Sequence, residues 1–195
     1  MRNISKSVVG AFLIVGSIAM VGCKGKQKEE AAPKVANETI INMHCFGSDY
    51  FSSKSHIRAS GLGESGDRMT AIKKAKNEAK TALASSIETR IKATIDNYVN
   101  SREMNNKEQV EEKFEGLSRE VVKQDLTNVV TICEKLTEKK AGGFVSYVAV
   151  EMKAKDLLEA INERITKEET LRVDYDYEKF KNTFDKEMEK LEKGL

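Results

Sequence analysis

Gly61-x-Gly63-x-x-Gly66, within "SGLGESGD" (residues 60–67), stands between a strand-like run and a long helical pattern. That spacing matches the dinucleotide-binding fingerprint, whose glycines let the backbone approach a pyrophosphate at a helix N-terminus. The fingerprint belongs to a βαβ unit of about 30 residues, with an acidic side chain about 20 positions on to take the ribose. Here the helical pattern alone runs for more than 30 residues, and Glu88, at about the right distance, falls inside it among "SSIETRIKA". No second strand arrives. The remaining reading is steric, a strand-to-helix turn that needs positive φ or a close backbone approach, and no nucleotide is expected.

The other residues with chemical capacity are Cys23, Cys45 and Cys133, and the two histidines, His44 and His56. His44 and Cys45 are adjacent, so on an extended segment they point to opposite sides, and no C-x-x-C or H-x-x-x-H spacing is present. Neither a metal ion nor a cofactor is expected. A nucleophilic Cys45 would need a histidine brought beside it by the fold, and a disulfide would compete for the same sulfur. Acidic residues lie in helical runs such as "EQVEEKFE", the pattern of solvated faces. No catalytic set stands out, so the chain reads as non-enzymatic.

The first 22 residues explain the third cysteine. Arg2 and Lys6 form a short positive region ahead of the uncharged run Val8–Gly22, which has the length of a secretory signal and is too short for a spanning helix of about 20 residues. Met20-Val21-Gly22-Cys23 then resembles the bacterial lipobox, in which cleavage before the cysteine is coupled to a diacylglyceryl group on its sulfur and an acyl chain, such as palmitate, on its amino group. Cleavage after Ser17-Ile18-Ala19, a small-x-small site, is the alternative and would leave Cys23 as a free thiol. Two or more acyl chains anchor stably, at about 0.8 kcal/mol per buried CH₂. Lys24, rather than Asp, after the cysteine resembles the sorting pattern of outer-membrane lipoproteins, with either face of that membrane open. With Cys23 acylated in an oxidising compartment, Cys45 and Cys133 have a single connectivity, and a disulfide between them is expected.

The full chain carries 33 Lys+Arg and 31 Asp+Glu; loss of Arg2 and Lys6 with the signal leaves 31 of each. Such balance gives no drive toward nucleic acid. Residues 23–38, charged and carrying the single Pro, read as a lipid-anchored tether. An α+β domain is expected over 39–166, followed by an amphipathic helix within 167–195. The period-two run near 56–62 predicts a strand, and "NVVTICEKL" with "FVSYVAVEM" predicts a hairpin, 128–136 and 144–152, turning at Gly142-Gly143. Three- and four-residue apolar steps predict a principal helix over 67–101, N-capped by Asp67, with Met69, Ile72, Ala75, Ala79, Ala82, Leu83, Ile87, Ile91, Ile95 and Tyr98 inward. Further helices are expected at 107–123, with Val110, Phe114, Leu117 and Val121 on one face, and at 155–165 and 175–193. The fold is thus a small antiparallel sheet packed against the long helix.

A lipobox, a glycine-bearing strand, a helix reading "AIKKAKNEAKTALASSI", a second helical stretch and "GGFVSYVAVEM" together resemble the LPP-twenty family of bacterial lipoproteins, over roughly residues 55–155. A related module occurs in a periplasmic flagellar assembly protein. The resemblance implies a compact α+β domain on the outer-membrane side of the cell and no established catalytic activity. It does not extend to "DYDYEKFKNTFDKEMEKL", where Tyr177, Phe180, Phe184, Met188 and Leu191 recur at helical spacing. That stripe either packs back on its own domain or contacts an envelope protein or a second copy. The expected function is a membrane-anchored structural or interaction module of the cell envelope; the alternative is a ligand-binding lipoprotein with a small pocket.

Overall fold

In the computed structural model, the described residues are 41–101, 107–125, 128–173 and 175–194. The signal, Cys23 and the tether lie outside them. The elements run β1 (His56–Ser65), α1 (Arg68–Asn100), α2 (Lys107–Asp125), β2 (Val130–Glu138), β3 (Phe144–Lys153), α3 (Ala154–Lys167), a single turn α4 (Glu169–Arg172) and α5 (Tyr177–Glu192). Both sheet pairings are antiparallel, in the order β1-β3-β2, with helices packed against the sheet, as the α+β reading expects.

Helix α1 starts where Asp67 supplies a cap. Its carboxylate accepts from the Thr70 N–H and the Thr70 hydroxyl, each at 2.8 Å. Those bonds, the hydroxyl's first, hold the Asp67 carboxyl below its ordinary value. From there the buried positions form a strict row of four-residue steps: Ala71, Ala75, Ala79, Leu83, Ile87, Ile91, Ile95 and Val99. A four-residue step overshoots one turn by about 40°, so this row winds round the helix by about 280° from end to end. The start of α1 therefore faces β1 and β3, whereas its end turns a different side toward α2 and α5. The winding corrects the expected stripe. Met69 is exposed and so is Ala82, while Thr94 and Val99 are buried.

The sheet presents Ile57, Ala59, Gly61 and Gly63 of β1, and opposite them Met152, Val150, Val148 and Ser146 of β3, on the side facing α1. Strand β1 runs to Ser65, a few residues beyond the strand expected near 56–62, so Gly61 and Gly63 both lie inside it and the turn begins only at Gly66. Their role is close approach. A Cβ on Gly61 would lie 2.3 Å from the Ala79 nitrogen, and one on Gly63 would lie 2.4 Å from both the Ala71 oxygen and the Ala75 nitrogen. Gly66, in the turn itself, has nothing within 4 Å and no positive φ. The hairpin turn does use that freedom, at Gly142 (φ 87°) and Gly143 (φ 88°).

Strand β2 begins at Val130 rather than 128 and carries a bulge between Thr131 and Cys133. In unbroken register, Thr131 opposite Val150 would place Cys133 opposite Val148, on the helix-facing side. The extra residue instead sets Cys133 opposite Ala149, on the outer side of the sheet. Beyond β3 the chain enters α3 at once, burying Ala154, Leu157, Leu158, Ile161 and Ile165.

Because the clashes at Gly61 and Gly63 would be chiefly with the backbone of α1, relief requires separating the helix from the sheet. Gly61→Ala and Gly63→Ala should each lower stability by about 3 kcal/mol, the upper range for overpacking. Gly66→Ala should stay within about 0.5 kcal/mol of the parent. Urea denaturation of the three variants measures the contrast; a costly Gly66→Ala with harmless partners would refute the steric assignment.

Candidate functional site

Cys45 and Cys133 form a disulfide, with Cα atoms 5.6 Å apart and 88 positions between them in sequence. It lies on the outer side of the sheet, the side away from α1, and ties down the segment that precedes β1. Cys45 is buried and takes up φ 57°, a left-handed conformation that a non-glycine residue adopts at some cost. Its sulfur rests 3.4 Å from the Tyr147 carbonyl oxygen, and its own carbonyl accepts from the Ser60 hydroxyl at 2.6 Å. His44 lies edge-on to Tyr147, with ring centroids 5.5 Å apart.

Further along, the segment is tied to β1 by polar contacts. Ser52 Oγ accepts from the Arg58 N–H (2.9 Å) and donates to the Arg58 carbonyl (3.2 Å), which occupies backbone groups at the free edge of β1. The Arg58 side chain donates through Nε to Glu151 (2.9 Å) and through Nη1 to the carbonyls of Phe51 (3.2 Å) and Asp49 (3.4 Å). Between this segment, β1, Ser86 of α1 and Leu191 of α5 runs a groove of about 590 Å³, lined by Phe46, Tyr50 and Phe51. The sequence reading did not single out these aromatics. A signal was present: residues 46–51 hold three of the twelve Phe and Tyr of a chain that has no Trp.

The histidines do not converge with the disulfide on a common centre. His56 Nδ1 meets the Ser55 hydroxyl at 2.9 Å, and its Nε2 is 4.0 Å from Glu151. Among the described residues, no group of three or more His, Cys, Asp or Glu side chains is placed to hold a metal ion. Gly61 and Gly63 are filled by α1, which leaves no cradle for a phosphate at that helix start. Among the described residues, no helix is long and apolar enough to cross a membrane.

The C-terminal stripe is spoken for. Phe180, Phe184 and Met188 are fully buried in the core, Leu191 is half-buried and lines the groove beside β1, and Tyr177 alone of the five is exposed. Asp176 caps α5 through the Lys179 N–H (3.1 Å), and Phe180 packs among Tyr98, Phe114 and Tyr175, 5.3 Å from the Tyr98 ring and stacked with Phe114 at 6.4 Å. The Tyr98 hydroxyl accepts from the Asp176 N–H at 2.8 Å. Burial pushes the Tyr175 phenol well above its ordinary value, so it stays neutral. Glu187, an unforeseen member of this interface, is 3% exposed. Its carboxylate accepts from Asn97 Nδ2 of α1 (3.0 Å) and from Lys190 (2.5 Å), with Arg90 at 3.8 Å.

Comparison with protein-family models, with curated proteins and with solved structures finds no match to this chain.

Unreduced protein should show no alkylatable thiol at Cys45 or Cys133 by mass spectrometry. For a loop of 88 residues, the chain-entropy relation assigns the bridge about 4–5 kcal/mol. Cys45→Ala with Cys133→Ala should lose most of that in denaturant titrations, whereas a loss under about 1 kcal/mol would contradict the assignment. At the other interface, Glu187→Ala should lower stability by about 1.5–3 kcal/mol, the range for hydrogen bonds to a charged group. Asn97→Ala in the Glu187→Ala background should then add little, and full additivity would show that the two side chains do not interact.

Proposed function

We propose that this chain is a lipid-anchored lipoprotein of the bacterial outer membrane, akin to the LPP-twenty family, whose domain serves as a non-enzymatic structural or interaction module of the envelope. The observation that carries the reading is how the three cysteines are used. Cys45 and Cys133 are paired with each other, which leaves Cys23, the one inside the lipobox-like Met20–Cys23, available for acylation. A disulfide of this kind also suits an exported, oxidising compartment. The α+β domain with its glycine-bearing strand against an alanine-faced helix agrees with what the resemblance implies.

Partner contact, on this reading, does not run through the C-terminal stripe. Removing α5 would strip Phe180 from the aromatic cluster and Phe184 from the core and unfold the end of α1, so a truncation would report on folding rather than on a partner. A ligand-binding role finds less support. The groove beside β1 has its one guanidinium, Arg58, already committed to Glu151 and to two backbone carbonyls.

Cys23→Ser decides the anchor. Expressed as the full chain, the parent should partition into the detergent phase and incorporate labelled palmitate, and the variant should do neither. A Cys23→Ser protein that remained with membranes would contradict the lipoprotein reading.

A further inference from the structure

Nine large apolar side chains are exposed among the described residues, and three of them, Ile41 (81%), Met43 (43%) and Phe51 (66%), fall within the eleven residues that lead into β1. The other six are spread over β1, α1, β2, the end of α4 and the start of α5. The segment carrying the three is not loose. The disulfide holds it at Cys45, the Ser60 hydroxyl holds the Cys45 carbonyl, and Arg58 and Ser52 hold its end. Tying the Phe51 carbonyl to Arg58 leaves the ring itself outside, although burying it would be favourable. The fold thus presents Phe51 to solvent on a backbone held at both ends, with Ile41 and Met43 just ahead of the disulfide.

This is also where the chain leaves the domain. Eighteen residue steps join Cys23 to Ile41, and at full extension they reach at most about 60 Å. We infer that the segment Ile41–Phe51 is a membrane-contact face: the domain rests on the lipid surface that holds its anchor, with Ile41, Met43 and Phe51 entering the interfacial layer. The occupant follows from the position of the patch along the chain. An aromatic ring on the pinned segment and two aliphatic side chains just ahead of the disulfide, on the first described residues after the expected tether, meet the bilayer before any other part of the domain, at a high effective concentration. Phe, Ile and Met are side chains that partition into the headgroup boundary when their backbone is already satisfied. The inference rests on the lipoprotein reading.

The absence of Trp makes the test direct. Full-length acylated protein carrying Ile41→Trp, Phe51→Trp or, as a control at the end of α4, Val173→Trp is reconstituted into phosphatidylethanolamine–phosphatidylglycerol vesicles with brominated acyl chains. All three sites are exposed, so the fold should tolerate them, and circular dichroism checks it. Expected are blue-shifted emission and quenching on the order of threefold stronger at positions 41 and 51 than at 173. Co-sedimentation with vesicles but equal, weak quenching at all three positions would overturn the contact face and leave the anchor standing. Failure of the acylated parent to co-sediment would overturn the anchor and the face with it. If positions 41 and 51 are unquenched in vesicles yet shielded from aqueous quencher in native envelopes, a protein covers the patch and the lipid assignment is wrong.

Discussion

The fold depends on the distance between one helix and one strand. With Gly61 and Gly63 bare, the backbone of α1 at Ala71, Ala75 and Ala79 comes against β1 with no room for a Cβ between them. That contact fixes the height of α1 over the sheet at its first turns. Because the buried row winds round the helix, it also fixes the direction in which Ile91, Ile95, Tyr98 and Val99 point at its far end. The pocket they define is the one that α2 and α5 fill with Phe114, Phe180 and Phe184. A helix seated higher on the sheet would carry its far end away from both partners.

The opposite side of the sheet is organised by a different device. One additional residue in β2 reverses the side to which Cys133 points, and the sulfur then meets Cys45 on the face that α1 does not cover. The bulge and the disulfide are therefore a single feature. They let a segment with little core of its own lie fixed against the sheet, where Ser60, Arg58 and Tyr147 complete the contact.

Periodicity made most of this architecture legible. The hairpin, the long helix with its Asp67 cap, and the faces of α2 and α3 all follow from apolar spacing and turn chemistry. The pairing of Cys45 with Cys133 was legible from cysteine number together with the expectation of an oxidising compartment. What spacing could not convey was relative rotation. A stripe drawn straight along α1 selects Met69 and Ala82, which the winding leaves in water. The steric role of Gly61 and Gly63 was legible as a close backbone approach beside an alanine-lined helix start, but not the positions they meet, Ala71, Ala75 and Ala79. The bulge was hidden for a similar reason, since register is a property of two strands and "VTICEKLTE" is only one. As for α5, its stripe could be read as a core face before a docking face, and what spacing did not show was Glu187, which meets Asn97 ninety residues away.

The disulfide has a mechanical meaning as well. Tension applied to the chain ahead of Cys45 does not peel residues 46–55 from the edge of β1 one hydrogen bond at a time. It passes through a covalent bond into β2, which is laced to β3 from Val130 to Glu138, and the load is shared as shear across that whole ladder. A domain pulled from its N-terminal side thus meets the force through its sheet.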